Sequence, residues 1–241
     1  MIVIDSNFED IDKLNEIALD EGALLLINKP LSWTSFDVVN KVRYVTKVKK
    51  VGHAGTLDPL ATGLILLGLG KGTKKIDQLI LLNKVYKAIF RLGATTQSYD
   101  SEFPEENIKQ IRNIDLNKIQ NLINEKFTGE ISQIPPQFSA KKVKGKRAYL
   151  SAREGKEVEL APVNLTINKF EVISYQEPFL ESIIDCSKGT YIRAIARDLG
   201  EELGCGGYMC NLVRESIGEY KLEDAFELTE FIDRVSNDKS I

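Results

Sequence analysis

The sequence is poor in the residues that most often bind metals or form disulfide bridges. It contains one histidine, His53, and three cysteines among 241 residues. One histidine excludes any zinc site that takes two or three histidine ligands from a single chain. An odd number of cysteines argues against a secreted disulfide scaffold and indicates a reducing compartment. Cys205 and Cys210 lack a second cysteine pair, so buried thiols are favoured over structural zinc and no metal site is predicted.

Long apolar runs and targeting signals are also missing. Apolar stretches such as Ala23–Ile27 and Leu79–Leu82 fall far short of the roughly 20 residues that span a bilayer. The N-terminus is acidic and lacks the basic and apolar regions of a signal peptide. Only 7 prolines and 17 glycines are present, which excludes a collagen-like or linker-dominated chain. A cytoplasmic protein without membrane contact is therefore expected.

Positive charge is not in excess overall, but it is concentrated in two segments. The net charge is −3, yet residues 38–57 contain five cations and no acid, and residues 140–156 contain seven cations against one acid. Acidic residues collect near both ends of the chain. A basic face on an acidic body is typical of a protein that binds a polyanion. Solvated helix faces would give the same composition and are the alternative.

Hydrophobic periodicity predicts helices and strands that do not alternate strictly. Helices are predicted over residues 9–21, from a cap at Ser35 through Val45, and over 73–82, 115–127 and 191–203. Strands are predicted over 23–27, 64–69, 84–93, 165–174, 179–187 and 209–217. This order favours an α+β fold with a mixed sheet over a doubly wound one.

The segment Gly52–Gly63 is the one in which chemistry is most strongly indicated. Its three glycines permit unusual backbone angles or the close approach of a ligand. Pro59 biases Asp58 towards an extended conformation that presents its carboxylate. A tight turn that Asp58 caps is the alternative interpretation.

Three other kinds of site are alternatives to this loop. Cys–His catalysis and a Ser–His–Asp triad would both need His53, and no local signature supports either of them. The run Gly68–Lys74 has the spacing of neither a P-loop nor a dinucleotide-binding loop, so nucleotide binding is not predicted.

A second dense segment, Ser187–Arg193, joins a predicted strand to a predicted helix. It places Tyr191 and Arg193 at the helix entrance, where an arginine can hold a carboxylate by a bidentate pair. A surface arginine beside a packed tyrosine is the alternative. Tyr86 in the strand 84–93 equally fits simple packing.

Several segments form an ordered set of motifs. They are Lys29-Pro30 followed by Thr34-Ser35, Gly52–Leu64, Lys84–Ala88, Cys186–Arg193 and Asn211–Arg214. Together they resemble the TruB family of tRNA pseudouridine-55 synthases, and the resemblance runs from about Gly22 to Ile217. It implies the pseudouridine synthase fold, a mixed and largely antiparallel sheet flanked by helices. It also implies that uridine 55 in the T-loop of tRNA is isomerised to pseudouridine without metal or organic cofactor.

The resemblance also implies roles for single residues. Asp58 is the essential carboxylate and acts as a nucleophile on either the sugar or the base. Arg193 pairs with it, which would lower its pKa. Tyr86 stacks on the target base and assists proton transfer. The base must be flipped out of its folded loop, at a cost of a few kcal/mol, and the remaining residues implied in the pocket are Tyr191, Leu212 and, against the displaced nucleotide, His53.

The implied organisation is a single catalytic domain over residues 1–241. A basic, thumb-like insertion at about 132–160 would clamp the T-arm, and its cations match the phosphates of RNA. The residues expected on the RNA backbone are Lys141, Lys142, Lys144 and Lys146. The chain ends soon after the last motif, so no C-terminal PUA-type RNA-binding domain and no obligate protein partner are expected.

Two other functions stay open at this point. Guide-RNA-dependent pseudouridylases have a similar Gly-Thr-Leu-Asp-Pro loop but usually carry a C-terminal RNA-binding domain. A non-catalytic RNA-folding protein is the second, and intact Asp58, Tyr86 and Arg193 weigh against it.

Overall fold

The structure is a computed structural model that describes residues 1–143 and 145–237. The elements up to the middle of the chain are β1 (Ile2–Ile4), α1 (Leu14–Asp20), β2 (Ala23–Lys29), α2 (Ser35–Thr46), β3 (Val51–His53), β4 (Thr62–Leu69), α3 (Ile76–Ile80), β5 (Lys84–Leu92) and α4 (Leu116–Lys126). Those that follow are β6 (Gly129–Gln133), β7 (Lys142–Val143), β8 (Lys146–Arg147), α5 (Ala148–Arg153), β9 (Val163–Gln176), β10 (Phe179–Cys186), α6 (Ile192–Glu202), β11 (Gly207–Ile217), β12 (Tyr220–Lys221), β13 (Phe226–Glu227) and α7 (Leu228–Asn237).

The chain divides into two compact units. Unit 1 contains Met1–Tyr86 and the segment from Val213 onward, and unit 2 contains Lys87–Leu212. Both boundaries fall inside strands, because β5 and β11 contribute residues to each unit.

Unit 1 is built on a mixed sheet. β2 pairs antiparallel with β4 over its whole length and parallel with β1 and β13, while β4 pairs antiparallel with β3 and parallel with β11. Both faces of β2 and β4 are buried, which explains their nearly continuous apolar sequences. One face is covered by a core that includes the valines of α2 and the apolar residues of α1 and α7.

The acidic N-terminal segment therefore has a structural role in unit 1. Its apolar residues Ile4, Ile11, Leu14 and Ala18 belong to the core, while most of its carboxylates are exposed to solvent. β1 adds a parallel strand at the edge of β2, with Ile2 opposite Ala23.

The predicted cap of α2 at Ser35 is wrong, and Thr34 is the N-cap instead. The Thr34 hydroxyl accepts a hydrogen bond from the Asp37 amide at 3.0 Å, and the Asp37 carboxylate accepts one from the Thr34 amide at 2.9 Å. This reciprocal capping box needs an acceptor three residues after the cap, and Asp37 stands at that position for Thr34. Ser35 becomes the first helical residue and turns its hydroxyl into the protein.

Unit 2 is built on antiparallel strands. The long strand β9 pairs with β10 on one side and with β6 on the other, and β5 lies between β10 and β11. Phe90 and Phe170 meet edge to face in its interior, with ring centroids 6.3 Å apart. The segment 141–156 forms a short hairpin, β7–β8, followed by α5.

The predicted α+β class with a mixed, largely antiparallel sheet flanked by helices is confirmed. The helix expected over 73–82 is a 3-10 segment, Gly70–Lys75, that continues into the short α3. The loop expected over 52–63 contains the end of β3 and the start of β4. Among the described residues, no helix is long and apolar enough to cross a bilayer. The cytoplasmic location stays a prediction.

Candidate active site

The loop that connects β3 to β4 carries Asp58 and is held by its own backbone carbonyls. Every carbonyl oxygen from residue 55 to residue 59 accepts a hydrogen bond from another group in unit 1. The donors are the Arg214 guanidinium for Gly55 (3.3 Å) and Thr56 (3.5 Å), the Ser35 hydroxyl for Leu57 (3.1 Å), the Ala61 amide for Asp58 (3.1 Å), and the Ser32 amide (2.8 Å) and Lys29 ammonium (3.3 Å) for Pro59. Because all these carbonyls are satisfied by surrounding groups, the backbone of the loop is held in place at Asp58.

Ser35 fixes the residue next to Asp58 from both sides. Its buried hydroxyl accepts a hydrogen bond from the Leu57 amide at 2.8 Å and donates one to the Leu57 carbonyl. The Thr34-Ser35 motif therefore performs two tasks. Thr34 caps α2, and Ser35 ties that helix to the Asp58 loop.

Arg214 on β11 is almost fully buried and holds the loop from the opposite flank. Besides the two loop carbonyls, its Nε donates to the carbonyl of Leu64 at 2.7 Å. Gly63 lies opposite Arg214 in the β4–β11 pair with φ +107°, and a Cβ there would come within 2.4 Å of the Arg214 carbonyl oxygen. The last glycine of the loop is therefore required by the close approach of β11.

Lys29 at the end of β2 is a second buried cation beside the loop. Its ammonium donates to the carbonyls of Pro30 (2.9 Å), Trp33 (2.6 Å) and Pro59. Burial lowers the pKa of Lys29 to about 8, and the negative charge of Asp58 opposes this effect. The negative charge of Asp58 therefore favours the protonated form of Lys29.

His53 ends β3, and its ring is largely buried. Burial lowers the pKa of His53, so the ring is neutral at pH 7. The backbone of Gly55 acts in the opposite direction and raises the pKa of His53. Among the described residues, no group forms a hydrogen bond with the buried Nδ1 atom of this ring. Tyr86, the last residue of the first segment of unit 1, is buried on β5.

Arg193 lies in the first turn of α6 in unit 2 and is buried, so the alternative of a surface arginine is wrong. Its guanidinium donates to the carbonyls of Ser98 (3.2 Å) and Phe138 (2.9 Å), and Nη1 lies 3.4 Å from the Asp100 carboxylate. Asp100 is itself buried and accepts hydrogen bonds from the Ser98 hydroxyl and the Glu102 amide. A buried cation needs such partners to offset its desolvation.

Asp100 is a candidate site residue that the sequence analysis did not single out. It stands in the polar segment after β5, which offers no apolar periodicity, and only its burial distinguishes it from the nearby exposed Glu102. No local sequence signal would have singled it out.

Tyr191 is held at the entrance of α6 by a buried amide. The Gln133 side chain accepts a hydrogen bond from the Tyr191 backbone amide at 2.9 Å and donates one to the Tyr191 carbonyl at 3.2 Å. Leu212, also in unit 2, is buried on β11. His53, Asp58 and Tyr86 thus belong to unit 1, while the other three candidates belong to unit 2. The ion pair between Asp58 and Arg193 stays a prediction.

The basic segment is exposed, as a surface for RNA would have to be. Lys141, Lys142 and Lys146 are all exposed, and Lys142 pairs with Arg147 across the β7–β8 hairpin. Lys146 is engaged by Glu154 at 2.7 Å, and this contact lowers the pKa of Glu154. Lys144 lies outside the described residues.

Comparison with known sequences matches nearly the whole chain. The model described as the TruB family pseudouridylate synthase N-terminal domain matches residues 43–192, and that of the tRNA pseudouridylate synthase B C-terminal domain matches residues 193–240. Three relatives are named tRNA pseudouridine synthase B. The protein of Phocaeicola vulgatus is 45% identical and covers 88% of this chain and 92% of its own, that of Parabacteroides distasonis is 48% identical (84% and 88%), and that of Chlorobaculum tepidum is 44% identical (92% and 94%).

Solved structures share the fold at lower identity. A chain of a Cbf5–Nop10–Gar1 complex superposes with a TM-score of 0.71 at 24% identity, covering 97% of this chain and 59% of that one. A chain of an archaeal box H/ACA Nop10–Cbf5 complex gives 0.67 at 22% identity, covering 100% of this chain and 65% of that one. This chain therefore spans about three fifths of those longer chains, and the likeness concerns the fold alone. The sequence relatives and the matching domains, in contrast, show that the chain belongs to the TruB family and is a pseudouridylate synthase, an isomerase.

Proposed function

We propose that this enzyme converts uridine 55 in the T-loop of tRNA to pseudouridine and that Asp58 carries the reaction. The tRNA substrate is supported by the name shared by relatives that are 44–48% identical over most of the chain. The observation that carries the proposal is the Asp58 loop, in which five successive carbonyls are held by surrounding donors. Such rigidity is needed when one carboxylate must meet one atom of a displaced nucleotide.

The main requirement of the reaction is a positioned carboxylate. The bond between N1 and the sugar C1′ breaks, a bond between C5 and C1′ forms, and the proton on C5 is lost while N1 gains one. Asp58 acts as the nucleophile, at either the sugar or the base, and stabilises the detached intermediate. It acts as a carboxylate in this role, and the Lys29 ammonium lies beside the loop, where it donates a hydrogen bond to the carbonyl of Pro59.

The other candidate residues serve the flipped base. Tyr86 stacks on it and moves a proton, Arg193 pairs with Asp58, and Tyr191 and Leu212 line the pocket. His53 contacts the displaced nucleotide with a neutral ring, because burial lowers its pKa. A neutral imidazole offers one donor and one acceptor to a base edge. In unit 2, Asp100 orients Arg193.

The insertion at about 132–160 is proposed to clamp the T-arm. Its exposed lysines match phosphates, and RNA is read largely by shape and backbone contacts. The rest of the chain forms one catalytic domain in this proposal, and the reaction takes place without a guide RNA.

The test is turnover of a T-arm stem–loop labelled with tritium at C5 of uridine, because the reaction releases that proton. Wild-type protein should release tritium without any second RNA. Asp58→Asn should abolish release while the Kd for the stem–loop stays within a few-fold, since the carboxamide keeps the shape and loses the charge and the nucleophile. More than a few per cent of the wild-type rate in Asp58→Asn would overturn the assignment.

Tyr86 provides a second test within the same assay. Tyr86→Phe keeps the ring and loses the hydroxyl, whereas Tyr86→Leu loses both. Turnover should be nearly abolished in each, with weaker capture of the base in the Leu variant. Full activity of Tyr86→Phe would exclude the hydroxyl from proton transfer.

A further inference from the structure

Helix α2 in unit 1 exposes two aromatic rings that its core does not need. Phe36 is 60% exposed and Tyr44 is 69% exposed, while Val38, Val42 and Val45 on the opposite side are buried. At 3.6 residues per turn, Phe36, Asn40, Arg43 and Tyr44 fall in one stripe along the exposed side, and Lys47, the left-handed C-cap of α2, follows at its end. These five residues are called here the α2 outer face.

The cations of the α2 outer face are held against its aromatic and polar groups. The Lys47 ammonium lies 4.2 Å from the centroid of the Tyr44 ring. The Arg43 guanidinium makes long hydrogen bonds to the Asn40 side chain at 3.5 Å and to the Val51 carbonyl at 3.4 Å. An aromatic ring is thereby paired with a cation in the free protein, and part of the ordering that a ligand would otherwise impose is already present.

No negative charge opposes these cations along the segment that contains them. Residues 38–57 contain no acid, and the exposed Lys49 and Lys50 extend the positive charge beyond the helix. Asp37 is the nearest acid in the sequence, and its carboxylate is engaged by the amide and hydroxyl of Thr34 in the capping box. The face is therefore complementary to a polyanion that also offers flat apolar surfaces.

We propose that the α2 outer face binds unpaired nucleotides of RNA. Bases stack on Tyr44 and Phe36, which stand about 12 Å apart along the helix axis, while Arg43 and Lys47 meet the adjacent phosphates. Every base has a face for stacking and every linkage a charge, so the pairing needs no sequence signature. Tyrosine and arginine are also common at protein interfaces, but a protein partner would have to supply a matching acidic patch.

This inference rests on the proposed function only in taking RNA as the ligand. The face lies outside the Asp58 loop, and none of its five residues has been given a part in the chemistry. Binding is best measured in the Asp58→Asn background, where no turnover disturbs it. Affinity and turnover then report separately on this inference and on the proposed function.

The test compares two double variants with matched controls. Phe36→Ser/Tyr44→Ser removes the rings, and Leu19→Ser/Leu81→Ser is its control, because those side chains are 66% and 55% exposed on other parts of unit 1. Arg43→Gln/Lys47→Gln removes the cations. Its control is Lys13→Gln/Lys221→Gln, two exposed lysines already paired with acids. The probes are a 12-nucleotide oligouridylate and a blunt RNA duplex of the same length, each titrated at several salt concentrations.

The two variants should fail in different ways. Loss of the rings should weaken oligouridylate binding about tenfold or more with an unchanged salt slope, because stacking releases no counterions. Loss of the cations should lower the log–log salt slope by about 1.4, at about 0.7 per phosphate of a single strand. Duplex binding should be insensitive to loss of the rings, and both controls should bind like the parent.

A direct contact can be mapped at the same time. Oligouridylate containing 4-thiouridine should form a photo-crosslink within the α2 peptide, and Tyr44→Ser should remove it. Oligouridylate affinity of Phe36→Ser/Tyr44→Ser equal to that of Leu19→Ser/Leu81→Ser, together with no crosslink in α2, would overturn the proposal. RNA would then be excluded as the occupant, whether or not wild-type protein modifies the T-arm.

Discussion

The Asp58 loop and the β7–β8 hairpin both carry candidate functional side chains, and the structure treats them in opposite ways. The loop is surrounded by donors, and its carbonyls from residue 55 to residue 59 are all satisfied. The hairpin exposes Lys142 and Lys146, and its two strands are only two residues long. The first arrangement suits a group that must reach one atom. The second suits a surface that must meet repeating phosphates, where charge matters more than geometry.

The largest effect should come from the residue that holds the loop most deeply. Arg214→Met leaves the buried carbonyl of Leu64 and the partly buried carbonyls of Gly55 and Thr56 without their donor, so the free energy of unfolding should fall by about 3–5 kcal/mol. Turnover should fall at least 100-fold, or about 2.7 kcal/mol, because the backbone that positions Asp58 loses its support. Urea unfolding and tritium release measure the two effects.

Arg234→Met is the matched control for that substitution. Arg234 donates to one carbonyl, at 3.5 Å, and pairs with Glu230 on α7, away from the loop. It should cost about 1 kcal/mol of stability and leave turnover unchanged. Equal losses of turnover in both variants would show that the contacts of Arg214 with the loop carbonyls are not needed for turnover. If Arg214→Met does not fold, Arg214→Lys takes its place, because it keeps the charge. Expressed as free energies, its loss of turnover should still exceed its loss of stability.

The next largest effect on turnover should come from Asp100, the carboxylate that the sequence analysis did not single out. Asp100→Asn keeps the shape but leaves the buried Arg193 guanidinium without the negative charge 3.4 Å away. Turnover should fall about 10- to 100-fold while the Kd for the stem–loop is little changed. Glu102→Gln is the control, because Glu102 pairs with Arg153 at the surface and such pairs contribute little. A fully active Asp100→Asn would remove Asp100 from the site.

A pH profile tests whether the charge of Lys29 supports the loop. With a pKa of about 8, Lys29 is about 3% protonated at pH 9.5. Turnover should therefore fall with an apparent pKa near 8, to roughly a thirtieth at pH 9.5 if the charge is essential. Lys29→Met should be slow at every pH and lack this limb. The pKa of Cys210 is raised by burial to about 11, so that thiol stays protonated in this window.

Stability should move in the opposite direction over the same range. The pKa of Lys29 is lower in the folded chain, at about 8, than the 10.5 of an exposed lysine. The unfolded state therefore binds more protons between these values, and the contribution of Lys29 to the free energy of unfolding rises with pH. If stability and turnover fell together above pH 8, the loss of turnover would be due to unfolding and not to the charge of Lys29.

The smallest effect is expected from the hairpin. Lys141→Gln/Lys142→Gln should lower the salt slope of stem–loop binding by up to about 0.9 for each phosphate that a lysine no longer neutralises and leave kcat unchanged. Lys146→Gln should change the slope less, because Glu154 already offsets its charge at 2.7 Å. Glu154→Gln should strengthen binding. A large fall in kcat in the lysine variants would break the contrast between the two regions.

Local patterns were sufficient for much of the fold. The alternation in Lys84–Leu92 predicted β5, and the helical period of 115–127 predicted α4, of which Asp115 is the N-cap. The glycines and Pro59 of the loop, with the motifs around it, indicated Asp58 as the candidate carboxylate. Short elements such as β1 and β13 were not predicted, since two or three residues carry no measurable period and form only because β2 offers them an edge.

The order of amino acids is enough to establish the family, the succession of the main helices and strands, and the residues that stand at the candidate site. How those residues are held depends on the folded chain. Ser35 meets Leu57 across 22 residues and Arg214 meets Gly55 across 159, while Asp100 meets Arg193 within unit 2. Whether a polar side chain is buried and what it pairs with depend on segments far apart in the chain, so no local pattern records them. Folding brings these partners together because a buried donor or charge without a partner costs more than the arrangement that satisfies it.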